Sequence, residues 1–125
     1  MSNKEVVIID DDELTCMLIQ RILEREFKFK IVSFRNGIEG LEYVASNKPH
    51  LVVLDLMLPG KNGFEILKEL RQNKLHKETK IILVSAKSNS DDIERGFDLA
   101  ADEYITKPFQ QQEFVVRIRR LLKAS

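Results

Sequence analysis

Six residues of this chain have types and positions suited to chemistry. Asp10, Asp11 and Asp12 follow directly on the apolar run Val6-Val7-Ile8-Ile9. Asp55 closes a second run, Leu51-Val52-Val53-Leu54; Ser85 closes a third, and Lys107 precedes Pro108 just after a fourth. Carboxylates gathered at the ends of buried strands are costly unless a positive charge compensates them. A hard divalent cation such as Mg²⁺ suits that task, because it takes a few carboxylates together with waters and phosphate oxygens. A hydroxyl and an ammonium beside it are what a phosphoryl group requires. Its oxygens need donors and neutralisation, and its phosphorus needs an in-line nucleophile. Each residue also has a plainer reading. Asp10 to Asp12 could simply open a helix, Ser85 could be a turn residue, and Lys107 a solvated charge. Asp55 has no capping role to account for it, and it tips the balance toward the chemical reading.

These residues can meet only if the segments carrying them are neighbouring strands. Five β-branched or aliphatic runs stand out, at residues 6–9, 30–34, 51–54, 81–84 and 104–106. The strongest are continuously apolar rather than alternating, as expected of parallel strands covered on both faces. Helical periods lie between them. Leu14, Leu18 and Ile22 recur every four residues, Phe64, Leu67 and Leu70 every three, and Phe114, Ile118, Leu121 and Leu122 follow i, i+4, i+7, i+8. Asn36-Gly37 and Asn62-Gly63 mark two helix starts, and Ser90 before Asp91 and Asp92 reads as the cap of another. Glu113 and Arg117 form an i, i+4 pair. The pattern is strand–helix five times over, an α/β chain with a five-stranded parallel sheet and helices on both faces. Ligands of such sheets bind beyond the carboxyl ends of the strands, where the six residues are expected. The second strand delivers only Phe34 there, which reads as packing.

Composition narrows the function. The 125 residues fit one domain, read as 1–125. Lysine plus arginine and aspartate plus glutamate both number 20, so the net charge is zero. That balance argues against direct nucleic-acid binding by this domain. The single cysteine, Cys16, excludes an internal disulfide framework and suits a reducing compartment. It sits beside Met17 and Leu18 and reads as core rather than nucleophile. No secretory signal and no membrane-spanning stretch is visible, so the expectation is a soluble cytoplasmic domain without a membrane partner. His50 and His76 lack metal-ligand spacing and read as surface residues. Neither a GxxxxGK[ST] loop nor a GxGxxG turn is present.

The chain strongly resembles the receiver domain of two-component response regulators. The resemblance rests on five motifs in order: Val7-Ile8-Ile9-Asp10-Asp11-Asp12, Val53-Leu54-Asp55-Leu56-Met57-Leu58-Pro59-Gly60, Asn62-Gly63-Phe64-Glu65, Ile82-Leu83-Val84-Ser85-Ala86-Lys87, and Ala101-Asp102-Glu103-Tyr104-Ile105-Thr106-Lys107-Pro108-Phe109. It implies a flavodoxin-like, doubly wound (βα)5 fold with strand order 2-1-3-4-5. It also implies that Asp55 accepts a phosphoryl group from a histidine kinase or histidine phosphotransfer protein. Mg²⁺, with Mn²⁺ as a substitute, would be held by Asp10, Asp11, Asp55 and the Met57 carbonyl, with Asp10 acting mainly through water. Ser85 and Lys107 would hold phosphoryl oxygens, and the Lys107–Pro108 bond would be cis. Ser85 and Tyr104 would form the switch, the tyrosine turning inward as the hydroxyl moves toward the phosphate. The surface of the fourth helix, fifth strand and fifth helix would change in response. Such a domain is a phosphoacceptor with self-catalysed phosphotransfer and autodephosphorylation rather than a conventional turnover enzyme.

Within the family the sequence is most similar to receivers of the winged-helix transcription-factor subfamily. Glu113, Arg117, Arg119, Arg120 and Lys123 of the last helix, with Arg95 and Asp98 of the fourth, point to a phosphorylation-dependent homodimer on that face. Two positions depart from the family pattern: Ser85 replaces the more frequent threonine, and Ala100 stands where glycine is usual. If position 100 needs a positive φ, alanine there is strained. Two rival readings stand beside this one. Asp10-x-Asp12 also resembles the nucleophile motif of haloacid-dehalogenase-type phosphohydrolases, although the position of Leu14 departs from it. A receiver-like module that binds without phosphorylation is the other. The sequence leaves open whether the receiver acts alone or as part of a longer regulator.

Overall fold

In the computed structural model residues 4–123 are described, and they alternate strand and helix throughout. The order is β1 (Glu5–Ile9), α1 (Glu13–Phe27), β2 (Lys30–Phe34), α2 (Gly37–Ser46), β3 (Leu51–Leu54), α3 (Gly63–Gln72), a 3₁₀ turn (Lys74–His76), β4 (Lys80–Ser85), α4 (Ser90–Asp98), β5 (Glu103–Thr106) and α5 (Gln111–Lys123). All strand pairs are parallel, in the order β2-β1-β3-β4-β5. The expected fold class and strand order are therefore observed.

Burial explains why the strands read as unbroken apolar runs. Successive residues point to opposite faces of the sheet, and both faces are covered. Val6, Ile8, Val53, Ile82, Val84 and Ile105 pack with Cys16, Ile19, Ile22 and Leu23 of α1 and with Phe114 and Ile118 of α5. Val7, Ile9, Val52, Leu54, Ile81 and Leu83 pack on the other face with Val44 of α2 and Phe64, Ile66, Leu67 and Leu70 of α3. The α3 and α5 stripes lie where their periods predict.

The α1 stripe does not. Leu14 is 76% exposed and Leu18 45%, while Cys16, Ile19, Ile22 and Leu23 face the sheet. Both sets have helical spacing, and only the sheet decides which one is covered. The α4 cap is Asn89 rather than Ser90: its side chain accepts from Asp92 N at 2.9 Å and Ser90 is the first helical residue. His76 is fully buried rather than at the surface, with Nδ1 3.1 Å from Thr79 Oγ1. Ala100 lies at φ 72°, a left-handed conformation that disfavours any side chain. Among the described residues no helix is long and apolar enough to cross a membrane.

Candidate functional site

Register brings the acids together. Ile9 pairs with Leu54 across β1 and β3, so the next residue of each strand, Asp10 and Asp55, stand side by side at the carboxyl edge. Asp55 N donates to Ile9 O at 2.9 Å and Asp10 N to Phe34 O at 3.1 Å, which extends the ladder one step beyond the strands. Carboxylate oxygens of Asp10, Asp11 and Asp55 lie within 4.8 Å of one another. Asp10 and Asp55 are buried, whereas Asp11 is exposed. Asp12 belongs to the helix: it caps α1, accepting from Leu14 N at 3.2 Å and Thr15 Oγ1 at 2.6 Å. The triplet is thus divided between the chemical reading and the plain one.

Lys107 reaches this group from the end of β5. Its ammonium donates to Asp10 Oδ2 at 2.8 Å and to Asp55 Oδ2 at 3.1 Å. Its own amide donates to Ser85 O at 2.8 Å, and the Lys107–Pro108 peptide is cis. Burial pushes Asp10 up to about 6, and the neighbouring Asp55 charge pushes the same way. The Lys107 ammonium and the Asp12 amide, at 2.9 Å from Asp10 Oδ1, oppose this only in part. Burial also works against the Lys107 charge, but Asp10 and Asp55 outweigh it and hold the ammonium above its ordinary value. Three carboxylates with one lysine leave an excess of negative charge at a half-open site.

The β3–α3 connection shapes the other wall. Asp55 Oδ1 accepts from Met57 N at 3.2 Å, and the Met57 side chain is 56% exposed at the mouth. Asn62 and Glu65 form a reciprocal capping box at the start of α3. Gly63 follows, and a Cβ there would collide with Asp55 O and lie 2.7 Å from Leu56 Cα. The glycine lets α3 start directly against the Asp55 backbone. In the sequence it reads only as helix punctuation, because nothing local reveals that close approach. A cavity of about 780 Å³ opens over the site, bordered by Asp11, Asp55, Met57, Lys87, Arg95 and Lys107. Arg95 carries no local signal of a place here; its guanidinium lies 4.3 Å over the Phe64 ring.

Ser85 and Tyr104 lie deeper. Ser85 is fully buried, and its Oγ accepts from Lys87 N at 3.2 Å. Tyr104 is 6% exposed, with its ring turned into the fold and its hydroxyl donating to Lys87 O at 2.7 Å. Burial raises the Tyr104 hydroxyl above its usual value, against a lowering contact with Ser85. Cys16 is core: burial pushes its thiol up to about 11, out of nucleophilic range.

Comparison with known proteins agrees with this geometry. The sequence model of the family described as response regulator receiver domain matches residues 6–119. The chain belongs to that family. Over 123 residues, 98% of its length, the receiver is 38% identical to the alkaline phosphatase synthesis transcriptional regulatory protein PhoP of Bacillus subtilis (strain 168). It is 40% identical to the transcriptional regulatory protein SrrA of Staphylococcus aureus (strain NCTC 8325 / PS 47). The chain spans about half the length of these relatives, 50% and 49%. Among solved structures it superposes on a response regulator from Chloroflexus aurantiacus J-10-fl with a TM-score of 0.89 at 29% identity, covering 98% of this chain and 99% of the other. The BeF3-activated receiver domain of DrrB, a Thermotoga maritima protein, gives 0.88 at 29% identity, with the same coverage.

Family membership makes this a phosphorelay signalling receiver and sets aside the haloacid-dehalogenase reading. The named relatives are transcriptional regulators, consistent with the winged-helix subfamily. Receivers bind Mg²⁺ at an acidic pocket, and the residues here fit that ion. Three carboxylates converge, two are fixed by hydrogen bonds, and the third faces a cavity with room for waters. Receivers of response regulators take their phosphoryl group from histidine kinases.

Proposed function

We propose that Asp55 is the phosphoacceptor, and that residues 1–125 form one receiver domain serving this reaction. The observation that carries the reading is the shared lysine: one ammonium bridges Asp55 to a neighbouring buried aspartate at the mouth of an open cavity. An Asp55 carboxylate oxygen attacks the phosphorus of a phosphohistidine, the P–N bond breaks, and the departing imidazole takes up a proton. Lys107 then turns from the Asp55 carboxylate to a phosphoryl oxygen, and the Ser85 hydroxyl donates to another. Forming the acyl phosphate replaces the single carboxylate charge with a phosphoryl group carrying nearly two, so about one further negative charge enters a site already in excess. Bound Mg²⁺ supplies the missing positive charge; Asp10, Asp11, Asp55 and the Met57 carbonyl would hold it. Mn²⁺ prefers similar oxygen ligands and would substitute.

The switch reading follows from the same residues. Tyr104, expected to turn inward as the Ser85 hydroxyl moves toward the phosphate, already lies inward in this structure, so that movement would hold the ring there rather than bring it in. The face of α4, β5 and α5 then carries the output. Arg117 lies 2.7 Å from Glu103 and 3.2 Å from Glu113, Arg120 lies 3.9 Å from Glu103, and Val116 beside them is exposed. This supports a homodimer whose partners exchange such pairs. Arg119 is turned the other way, toward Glu26 and Phe27 of α1, and takes no part in that face. A cytoplasmic location follows from the partner kinase and the reduced cysteine.

Intact mass spectrometry after incubation with acetyl phosphate and Mg²⁺ tests the reading. One phosphoryl group should appear on the wild-type protein and none on Asp55→Asn. Persistence of the adduct in that variant would overturn the assignment.

A further inference from the structure

Helix α4 has one fully buried residue, the glycine Gly96, while Ile93 packs half-buried against the same core. The rest of the helix is largely polar, and its Phe97 is exposed. A glycine weakens a helix interior, so its presence at the only buried position calls for a packing reason. A Cβ at residue 96 would lie 2.7 Å from Leu83 Cδ1, 3.2 Å from Tyr104 Cδ2 and 3.5 Å from Tyr104 Cε2. Leu83 is fully buried in the sheet and has little freedom to yield. The Tyr104 ring stands against the same space, and its hydroxyl is bonded to the carbonyl of Lys87, whose amide is bonded to Ser85 Oγ. The neighbouring Arg95 lies over Phe64 at the cavity wall.

We infer that the missing side chain at Gly96 is what admits the Tyr104 ring to its buried position. Residue 96 is then a positioning residue that couples the seat of α4 to Ser85. The functional half of this statement rests on the receiver switch proposed above. A methyl group at position 96 lifts α4 or turns the ring outward. Either displacement works against the state in which the phosphoryl group is held, so the substitution weakens binding of a phosphoryl mimic.

The chain has two tyrosines, so 3-fluorotyrosine labelling yields two ¹⁹F signals, which Tyr43→Phe assigns. In the unphosphorylated protein, Gly96→Ala should move the Tyr104 signal toward that of a solvent-exposed ring. With Mg²⁺ present it should weaken beryllofluoride binding by about 3- to 10-fold. In a Tyr104→Ala background the Leu83 contact remains but the ring contact is gone, so the same substitution should leave beryllofluoride affinity unchanged. An unmoved Tyr104 signal, or an equal loss of affinity without the tyrosine ring, would overturn the inference. If Gly96→Ala alone does not fold, rescue by Tyr104→Ala supports the contact and failure of rescue refutes it. The ¹⁹F arm reads the protein before any phosphorylation. A wild-type protein that ignores beryllofluoride would sink the switch reading and leave the Gly96 contact still decided by that arm.

Discussion

At the carboxyl ends of the strands, three aspartates converge and one lysine bonds two of them, Asp10 and Asp55; at the opposite end of the sheet, Arg71 divides itself among four acceptors. Its Nε donates to Ala100 O at 2.9 Å, Nη1 to His76 O at 2.9 Å and Thr79 O at 2.7 Å, and Nη2 to Asp102 Oδ2 at 2.7 Å. The same Asp102 oxygen accepts from Ile81 N at 2.8 Å, so one ion pair ties α3, the 3₁₀ turn, β4 and the turn after α4. Both regions partly bury charge. The Arg71 cluster is balanced and its donors are matched, which is what a structural ion pair needs to offset its desolvation. The aspartate cluster is unbalanced, half-open, and holds a carboxyl group pushed toward neutrality. A folded protein does not hold such an excess for stability's sake; it marks the place where a divalent cation balances the charge.

Breaking each cluster should therefore have opposite consequences. The largest effect is expected for Arg71→Ala, which strands Asp102 and three carbonyls and should cost about 3 kcal/mol in chemical denaturation. Phosphorylation of the folded fraction by acetyl phosphate should be unchanged. A loss below 1 kcal/mol would remove the contrast.

Asp10→Asn should act the other way. Because the Asp10 carboxyl is raised to about 6 in the folded state, its favourable contribution is full below about 4 and disappears as pH rises through 6. The variant should gain about 2 kcal/mol over wild type at pH 7.5, and that gain should vanish by pH 4. Its Mg²⁺ affinity, by titration calorimetry, should fall at least about tenfold for the loss of a carboxylate. His76 sharpens the comparison, since burial lowers it below its ordinary value. Its contribution is present above about 6.5 and is lost as pH falls through the folded value, opposite in sign to that of Asp10.

A smaller gain, about 0.5 kcal/mol, is expected from Ala100→Gly, which relieves the left-handed backbone beside Arg71. Thermal denaturation would detect it, and a loss would show that the alanine methyl packs usefully. Smallest for the fold are Met57→Asn and Lys87→Glu at the cavity mouth, each within about 0.5 kcal/mol of wild type. Both should still change the aspartyl-phosphate decay rate several-fold, followed by phosphate release. Unaltered decay in both would separate these side chains from the chemistry.

The β runs were legible because strands covered on both faces must be apolar at every position, and Asp55 stood out because it broke such a run. The stripe of α1 was not, because Leu14-Leu18-Ile22 and Cys16-Ile19-Ile22-Leu23 share a helical period and only docking on the sheet chooses between them. His76 was misread for a similar reason: a lone histidine in a polar segment gives no sign that the turn folds under α2 and β4. Asn89 passed unnoticed as a cap because Ser90, Asp91 and Asp92 offer the same chemistry one residue later.

By itself, then, the sequence determined the alternation of elements, the parallel sheet and the residues delivered to its carboxyl edge. These depend on local period and on which side chains tolerate burial. Tertiary structure alone decided that Lys107 bridges Asp10 and Asp55, that Gly63 and Gly96 serve close approaches, and that Arg71 closes the far end. Each of these depends on distances between segments far apart in the chain, and no local propensity encodes them.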